Sequence, residues 1–301
     1  MATIFGKSGP GRSETIIGTA DSDTINPLGG DDLVDGGRGF DTVVVEAKST
    51  DFRISTINGV TYLDTATGAS SGKGVTLKNI ESVKFTDRTL SLVVNDRLIN
   101  SPGADFPDGG PGLDSFVYSA PRSAFTVSAS FGSATASVKR NDGSEGSDFL
   151  TSIERLEFSD GKRVALDLDT QDSAGKAVLL VGAVLGKNAV AAKPDLMGTL
   201  IGLFDAGVSL QALSGAVLRL PIWGGVLTAT NSSEDIARHL LTVVNRKAPT
   251  DAEVNAGATA LRTEALQGSW LADLAGSAAN QVQVDLVGLR NTGLDYAGPQ
   301  G

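Results

Sequence analysis

The sequence predicts a multidomain chain, β first and α second, in which duplicated units of short strands and hairpins precede an all-α domain. Three observations predict it. Residues 1 to about 168 are rich in Gly, Asp, Ser and Thr and carry short β-branched runs bounded by turn residues. Examples are Val43-Val44-Val45, Phe52-Arg53-Ile54 and Val83-Lys84-Phe85. One ungapped offset of 73 residues maps much of this half onto itself. From about residue 172 the chain turns rich in Ala, Leu and Val at helical spacing. The expected divisions are 1–95 and 96–168 for the two β units and 169–301 for the helices.

Composition narrows the chemistry. The 301 residues include 35 acidic and 25 basic ones, a single histidine and no cysteine, for a formal charge of −10. Such a balance opposes nucleic-acid binding, which needs a basic face. Without cysteine there is no disulfide scaffold, thiolate zinc site or cysteine nucleophile. One histidine excludes any site that needs two imidazoles, including the H-E-x-x-H zinc helix. The longest apolar runs, such as 178–186, fall far short of the roughly 18 to 20 residues of a membrane span. No transmembrane segment is expected. The N-terminus lacks the charged and apolar regions of an ordinary secretory signal peptide. Of the 35 acids, 23 precede residue 169, and there they are ordered.

Glu14, Asp23, Asp32 and Asp41 stand nine residues apart, and an apolar residue follows each by two: Ile16, Ile25, Val34 and Val43. Gly36 to Val44 fits G-G-x-G-x-D-x-U-x completely. Six residues make a tight turn, for which glycine supplies otherwise strained backbone angles. Three make a short strand with one inward apolar side chain. Successive turns alternate sides, so acids eighteen residues apart stack on one edge. Two carboxylates and the turn carbonyls then form an oxygen cage suited to Ca²⁺, which takes about 6 to 8 oxygens. Asp23 with Asp41 is the better pair, with Gly18, Ala20, Gly36, Arg38 and Gly39 in its turns. Glu14 with Asp32 is the weaker, because Pro27-Leu28 replaces a glycine pair. Asp21 also stands where the pattern has its third glycine.

This motif resembles the RTX nonapeptide of bacterial proteins exported by type I secretion. The resemblance implies a parallel β-roll that binds calcium, and secretion through an uncleaved C-terminal signal without an N-terminal leader. It covers only about four turns at this point of the chain. Gly109-Gly110-Pro111-Gly112-Leu113-Asp114-Ser115-Phe116-Val117 is a second complete nonapeptide, 73 residues after the first. The same offset carries Phe52 to Phe125, Ile80-Glu81 to Ile153-Glu154, Phe85 to Phe158 and Asp87 to Asp160. It also copies the ladder as Asp87, Asp96, Asp105 and Asp114. Internal repetition of this kind points to two copies of one unit. Asp96 and Asp105 sit in poorer loops, with Pro107 where an inward apolar residue belongs. The second copy is therefore expected to keep at most one good site, Asp96 with Asp114, lined by Gly109, Pro111 and Gly112. Asp87 and Asp160 are read as hairpin turn residues.

In the helical half, Thr250-Asp251-Ala252-Glu253 is a capping box and Pro194-Asp195 opens a helix. Ile236, Leu240, Val243 and Val244 form an amphipathic stripe. This half resembles a family of helical domains of unknown function found in secreted and surface-associated bacterial proteins. The carriers are Ser232-Ser233-Glu234-Asp235-Ile236, Asn245-Arg246-Lys247-Ala248-Pro249-Thr250 and Asn291-Thr292-Gly293-Leu294-Asp295-Tyr296. The family has aromatic residues where this chain has His239 and small residues near Ala256. Gly207, Leu210, Leu213 and Gly215 echo Gly268, Leu271, Leu274 and Gly276, which suggests two related hairpins packed together. Trp223 and Trp270 are read as core.

Gly68-Ala69-Ser70-Ser71-Gly72 fits G-x-S-x-G, but a nucleophile elbow belongs at a strand-to-helix turn with a histidine in reach. Here it falls in a hairpin loop, and His239 lies in the helical half. With turns beginning within about ten residues of Met1, the catalytic domain that precedes them in RTX proteases and lipases is not expected. The expectation is a non-enzymatic, calcium-binding extracellular protein. It would self-assemble at the bacterial surface as a surface-layer, matrix or filament subunit, with cell-surface polysaccharide as a further partner. An adhesin or carbohydrate-binding module is the alternative, and a hydrolase using Ser70 or an acid pair the third.

Overall fold

The computed structural model describes residues 2–7, 13–19, 21–37, 40–57, 60–66, 74–93, 95–130, 135–144, 146–218 and 232–298. The chain forms two compact units. One comprises Met1–Ile99, Asp105–Phe116 and Phe149–Ile153, and the other Asn100–Ala104, Val117–Asp148 and Glu154–Gly301. Short strands fill the N-terminal part, and among the described residues nine helices follow, a β-then-α layout.

The first unit turns the nine-residue period into a coil of strands. Strands β1 (Thr3–Phe5), β2 (Thr15–Ile17), β3 (Thr24–Asn26), β4 (Leu33–Asp35) and β5 (Thr42–Val44) alternate between two sheets. β1, β3 and β5 run parallel in one, with Ile4, Ile25 and Val43 in register. β2 and β4 run parallel in the other, with Ile16 opposite Val34. A three-residue strand turns only its central side chain inward. Accordingly Ile16, Ile25, Val34 and Val43 are all buried. Of the flanking apolar residues, Ile17 and Leu33 are exposed and Val44 is half-buried.

Hairpins then finish both sheets. β6 (Phe52–Ile57), β7 (Val60–Thr65) and β8 (Val75–Lys78) are antiparallel, and β8 joins β4 in parallel, with Leu77 opposite Val34. β9 (Ser82–Lys84) joins β5 in parallel, placing Val83 on Val43, and β10 (Thr89–Ser91) turns back along β9. Leu63, Leu77, Ile80, Val83 and Phe85 complete a core between the sheets.

The elements recur 73 residues later. A 3₁₀ turn at Ser49–Asp51 leads into β6, and one at Arg122–Ala124 leads into β13 (Phe125–Ser130). Asn79 and Ser152 both hold φ at 50°. Between these come β11 (Arg97–Ile99) and β12 (Ser115–Val117), with the Ser115 N–H donating to the Asp96 carbonyl. The hairpin of β13 and β14 (Thr135–Arg140), strand β15 (Ser147–Thr151), and the antiparallel pair β16 (Arg155–Glu157) and β17 (Lys162–Ala165) follow. The copy departs at the counterpart of β4. Phe106-Pro107-Asp108 makes only a single bridge, from Asp108 to Thr151. A proline has no N–H for a ladder. Phe106 is instead exposed and stacks on Phe149 with ring centroids 5.6 Å apart.

In the second unit the helix α1 (Ser173–Leu185) is buried on nearly every side, from Ala174 to Val184. After it come α2 (Lys187–Ala192), α3 (Pro194–Asp205), α4 (Leu210–Val217), α5 (Ser233–Asn245), α6 (Asp251–Arg262), α7 (Glu264–Gly276), α8 (Ala278–Gln283) and α9 (Leu286–Thr292), with α6 packed on α5 and α7 rather than on α1. The Thr250–Glu253 capping box starts α6, Ser232 and Asp235 form another on α5, and Pro194 opens α3. The predicted stripe of α5 faces inward, with Leu240 and Val244 buried. The echoing segments meet: α4 packs on α7, where a side chain at Gly268 would strike the Gln211 carbonyl. Trp270 packs against the core beside Gly257, and Trp223 lies outside the described residues.

The stretch expected to be wholly helical ends in a strand. β18 (Leu294–Ala297) runs antiparallel to β17, with Leu294 and Tyr296 buried and Asp295 turned outward to the Arg122 guanidinium at 2.7 Å. Three alternating residues are too short a signal to stand out in a sequence. On β16, the buried Arg155 grips the Asp167 carboxylate through both terminal nitrogens and reaches Asp205 at 2.8 Å.

Candidate metal centre

The ladder of acids is held together by its own backbone. The Asp23 N–H donates to Asp41 Oδ1 at 2.7 Å, and the Glu14 N–H donates to Asp32 Oδ1 at 3.1 Å. In the second copy the Asp96 N–H donates to Asp114 Oδ1 at 2.7 Å. Each acid thus caps the rung eighteen residues before it, as the parallel register demands. The series runs further at both ends. Ala2 donates to Asp23 Oδ1 at 2.7 Å, and the Asp41 N–H donates to Glu81 Oε2 at 2.5 Å. In the sequence Glu81 stands out only as part of the Ile80-Glu81 pair that recurs at Ile153-Glu154. Its place as the next rung follows from β9 joining β5, a pairing that no local spacing announces.

The glycines are where the turns touch. A side chain on Gly18 would meet the Gly36 carbonyl at 2.0 Å. One on Gly36 would meet the Asn79 carbonyl at 2.2 Å and Asp41 Oδ2 at 2.5 Å. Gly109 is placed in the same way, against the Ser152 carbonyl at 2.3 Å and the Asp114 side chain. Gly112 and Pro111 lie half-buried in the following bend, Gly112 with φ of 155°. Asp105 is half-buried, and its carbonyl takes the Phe149 N–H at 2.9 Å. Glu14 is half-buried and accepts the Lys7 N–H. Ala20, Arg38 and Gly39 lie outside the described residues, as do Ser70 and its pentapeptide.

The rungs differ electrically. Asp23 Oδ2 accepts both the N–H of Thr19, at 2.6 Å, and its hydroxyl, at 2.8 Å. The Thr19 backbone bond leads the causes that hold this acid below its usual value. Asp41 is wholly buried, and its Oδ2 has no hydrogen-bond donor. Burial, with Glu81, Asp23 and Asp35 nearby, pushes it up to about 6. Asp32 is likewise raised by burial and by Glu14 and Asp31, and its Oδ2 also has no donor. Asp114 rises to about 7 through burial, with Asp96 and Asp108 adding to it. A buried anionic oxygen without a donor is costly. A hard cation at that oxygen would remove the cost. On this ground the Asp32 and Asp41 rungs fit calcium. Among the described residues no three His, Cys, Asp or Glu side chains converge as a metal-ligating group. The cage expected from the sequence draws on only two carboxylates, with turn carbonyls supplying its other oxygens.

The tempting hydrolase partner is otherwise engaged. His239 Nε2 lies 2.9 Å from the Val184 carbonyl of α1, as befits a core histidine. Asp87 caps the Ser49 turn through its N–H at 2.7 Å and its hydroxyl at 2.9 Å, and the Arg122 N–H lies 3.3 Å from Asp160.

No family model and no curated protein matches the chain. Among solved structures, similarity is found to the extracellular lipase LipA from Serratia marcescens. Identity is 11% and the TM-score 0.18, over 50% of this chain and 38% of the lipase. At that score the likeness carries no argument about fold or substrate. The protein found is itself a lipase, and the expectation that this chain is non-enzymatic is withdrawn. No described helix is long and apolar enough to cross a membrane.

Proposed function

We propose that the chain is a secreted calcium-binding protein whose N-terminal coil is folded by the ion and then assembles at the bacterial surface. The observation that carries this reading is the Asp41 rung, a wholly buried carboxylate with an oxygen that no protein group serves. Export would follow the type I route with an uncleaved C-terminal signal. The division into β units at 1–95 and 96–168 and a helical domain at 169–301 belongs to the same proposal. So does self-association as a surface-layer, matrix or filament subunit. A charge of −10 keeps free subunits apart, and bound cations offset it where the acid is concentrated. The edge strands β1 and β2 also leave ladder groups open to a neighbouring copy.

Circular dichroism of the full chain with EGTA and with excess Ca²⁺ tests the reading. The β signal is expected to fall on chelation while the helical signal holds, because an unneutralised ladder lacks the core to offset chain entropy. Identical spectra would overturn it. Light scattering against rising Ca²⁺, with Mg²⁺ as control, tests assembly. One observation favours a second reading, an adhesin or carbohydrate-binding module: Phe106 and Phe149 form an exposed stacked pair. A chain that stays monomeric at every Ca²⁺ concentration and binds polysaccharide would decide for it.

A further inference from the structure

The turns before Asp32 and Asp41 share a feature that the turn before Asp23 lacks. Six positions ahead of these two acids stand Asn26 and Asp35. Asn26 Oδ1 accepts the Leu28 N–H at 3.1 Å, and Asp35 Oδ1 accepts the Gly37 N–H at 3.2 Å. Leu28 and Gly37 are left-handed, with φ of 61° and 89°. The second copy repeats the arrangement before Asp114, where Asp108 takes the Gly110 N–H at 3.2 Å and Gly110 has φ of 74°. Six positions ahead of Asp23 stands Ile17, whose side chain accepts nothing. There the equivalent N–H, that of Thr19, goes to Asp23 Oδ2.

One backbone N–H per turn therefore has two possible acceptors. With an Asn or Asp at the end of the preceding strand, the N–H is drawn to that side chain and the ladder carboxylate loses its donor. With an apolar residue there, the N–H serves the ladder carboxylate. The two outcomes coincide with the two electrical states. Oδ2 of Asp32 and of Asp41 lacks a donor, although these residues are 2% and 0% exposed, whereas Asp23 is satisfied within its own turn.

We propose that Asn26 and Asp35 select the rungs that take a divalent hard cation: Asp32 and Asp41 each offer an oxygen to one, and Asp23 to none. This rests on the calcium reading above and adds which turns carry the ion and what chooses them. It also reorders the pairs expected from the sequence, because Asp23 becomes a structural rung that caps Ala2 and leaves the cation to Asp41. Asp35 is a positioning residue. Asn79 Nδ2 donates to the same Asp35 oxygen at 2.8 Å, which holds it toward Gly37.

Calorimetric titration of the full chain with Ca²⁺ alone tests this. Asp32→Asn and Asp41→Asn are each expected to lower the number of bound ions by one, and Asp23→Asn to leave it unchanged. Asp35→Ala keeps every ladder carboxylate and frees the Gly37 N–H for Asp41. It should weaken one site about 10- to 100-fold, the cost of losing an outer partner of a ligand. Ile17 is exposed, so Ile17→Asn combined with Thr19→Gly spares the core. That variant should add one ion at Asp23. Loss of an ion in Asp23→Asn, or no added ion in the Ile17→Asn variant, would overturn the selection rule while leaving calcium binding intact. Absence of any binding heat from the unmodified chain would instead overturn the calcium reading.

Discussion

In the coil, Asp41 is wholly buried and its acidity is pushed up to about 6; on α5, Asp235 is exposed, and the Ser232 hydroxyl and N–H hold its acidity below the usual range. Glu253 on α6 is held down in the same way by the Thr250 N–H and hydroxyl. These carboxylates carry one chemistry and two fates. On the helices each acid meets donors that the chain itself supplies, the orphan N–H groups of a first turn. In the coil the Leu28 and Gly37 N–H groups go to Asn26 and Asp35, and one oxygen each of Asp32 and Asp41 is left without a donor. Local donors make a helix end self-sufficient, whereas in the coil only a rung such as Asp23, served by the Thr19 N–H and hydroxyl, is satisfied in the same way.

The contrast is sharpest at glycine. Gly36→Ala puts a methyl group into the Asn79 carbonyl and the Asp41 side chain, neither of which can yield without moving a neighbouring turn. It should cost about 3 kcal/mol, the upper range for overpacking, and show as a large drop in the thermal midpoint of the β signal. A change in the helical signal of equal size would break the comparison.

Acidification should move the two regions in opposite directions. Without Ca²⁺, the raised acidity of Asp41 means that the folded coil holds its proton more tightly than the unfolded chain does. The associated stability is complete below the ordinary value of 3.8 and is lost as pH rises through about 6. Glu81, Asp23 and Asp35 face the group and act in the same sense. The lowered acids Asp235 and Glu253 do the reverse: their contribution is present at neutral pH and lost as pH falls below their ordinary values. Chemical denaturation at pH 7 and pH 5 in EGTA, read at β and helical wavelengths, should show the coil gaining stability at the lower pH. A coil that weakens on acidification would refute the assignment.

Smaller effects belong to the helices. Ser232→Ala and Thr250→Ala each remove the acceptor of a capping box and should cost about 1 kcal/mol, with no change in bound calcium. Gly202→Ala on α3 meets open space and should gain less than about 1 kcal/mol from helix propensity. Urea denaturation resolves both signs.

Much of the coil could be read in advance because its period is set by a turn of fixed length. Nine residues determine which side chain points inward, and eighteen determine which acids share an edge. Ile25, Val43 and the Asp23–Asp41 contact follow from that counting. The capping boxes are legible for a like reason, since partner and partner lie three residues apart. Glu81 reaches Asp41 across forty residues, and Arg155 reaches Asp205 across fifty. No period links those positions, so only the folded chain brings them together. Asn26 and Asp35 are a subtler case. Their spacing is short, but each looks like the last residue of an ordinary strand until the N–H it captures is seen to be missing elsewhere.

The pairing of β17 with β18 sets an order of events. Strand β17 ends at Ala165 and its partner begins at Leu294, so the sheet closes a loop of roughly 130 residues. Contacts of such long range form late, after the chain between them has lost most of its freedom. Along a chain that emerges N-terminus first, the outer edge of β17 stays bare until residue 297 has appeared. The slow step of folding for this unit therefore waits until β18 has emerged, and a chain stalled before β18 would present an unpaired strand edge to its neighbours.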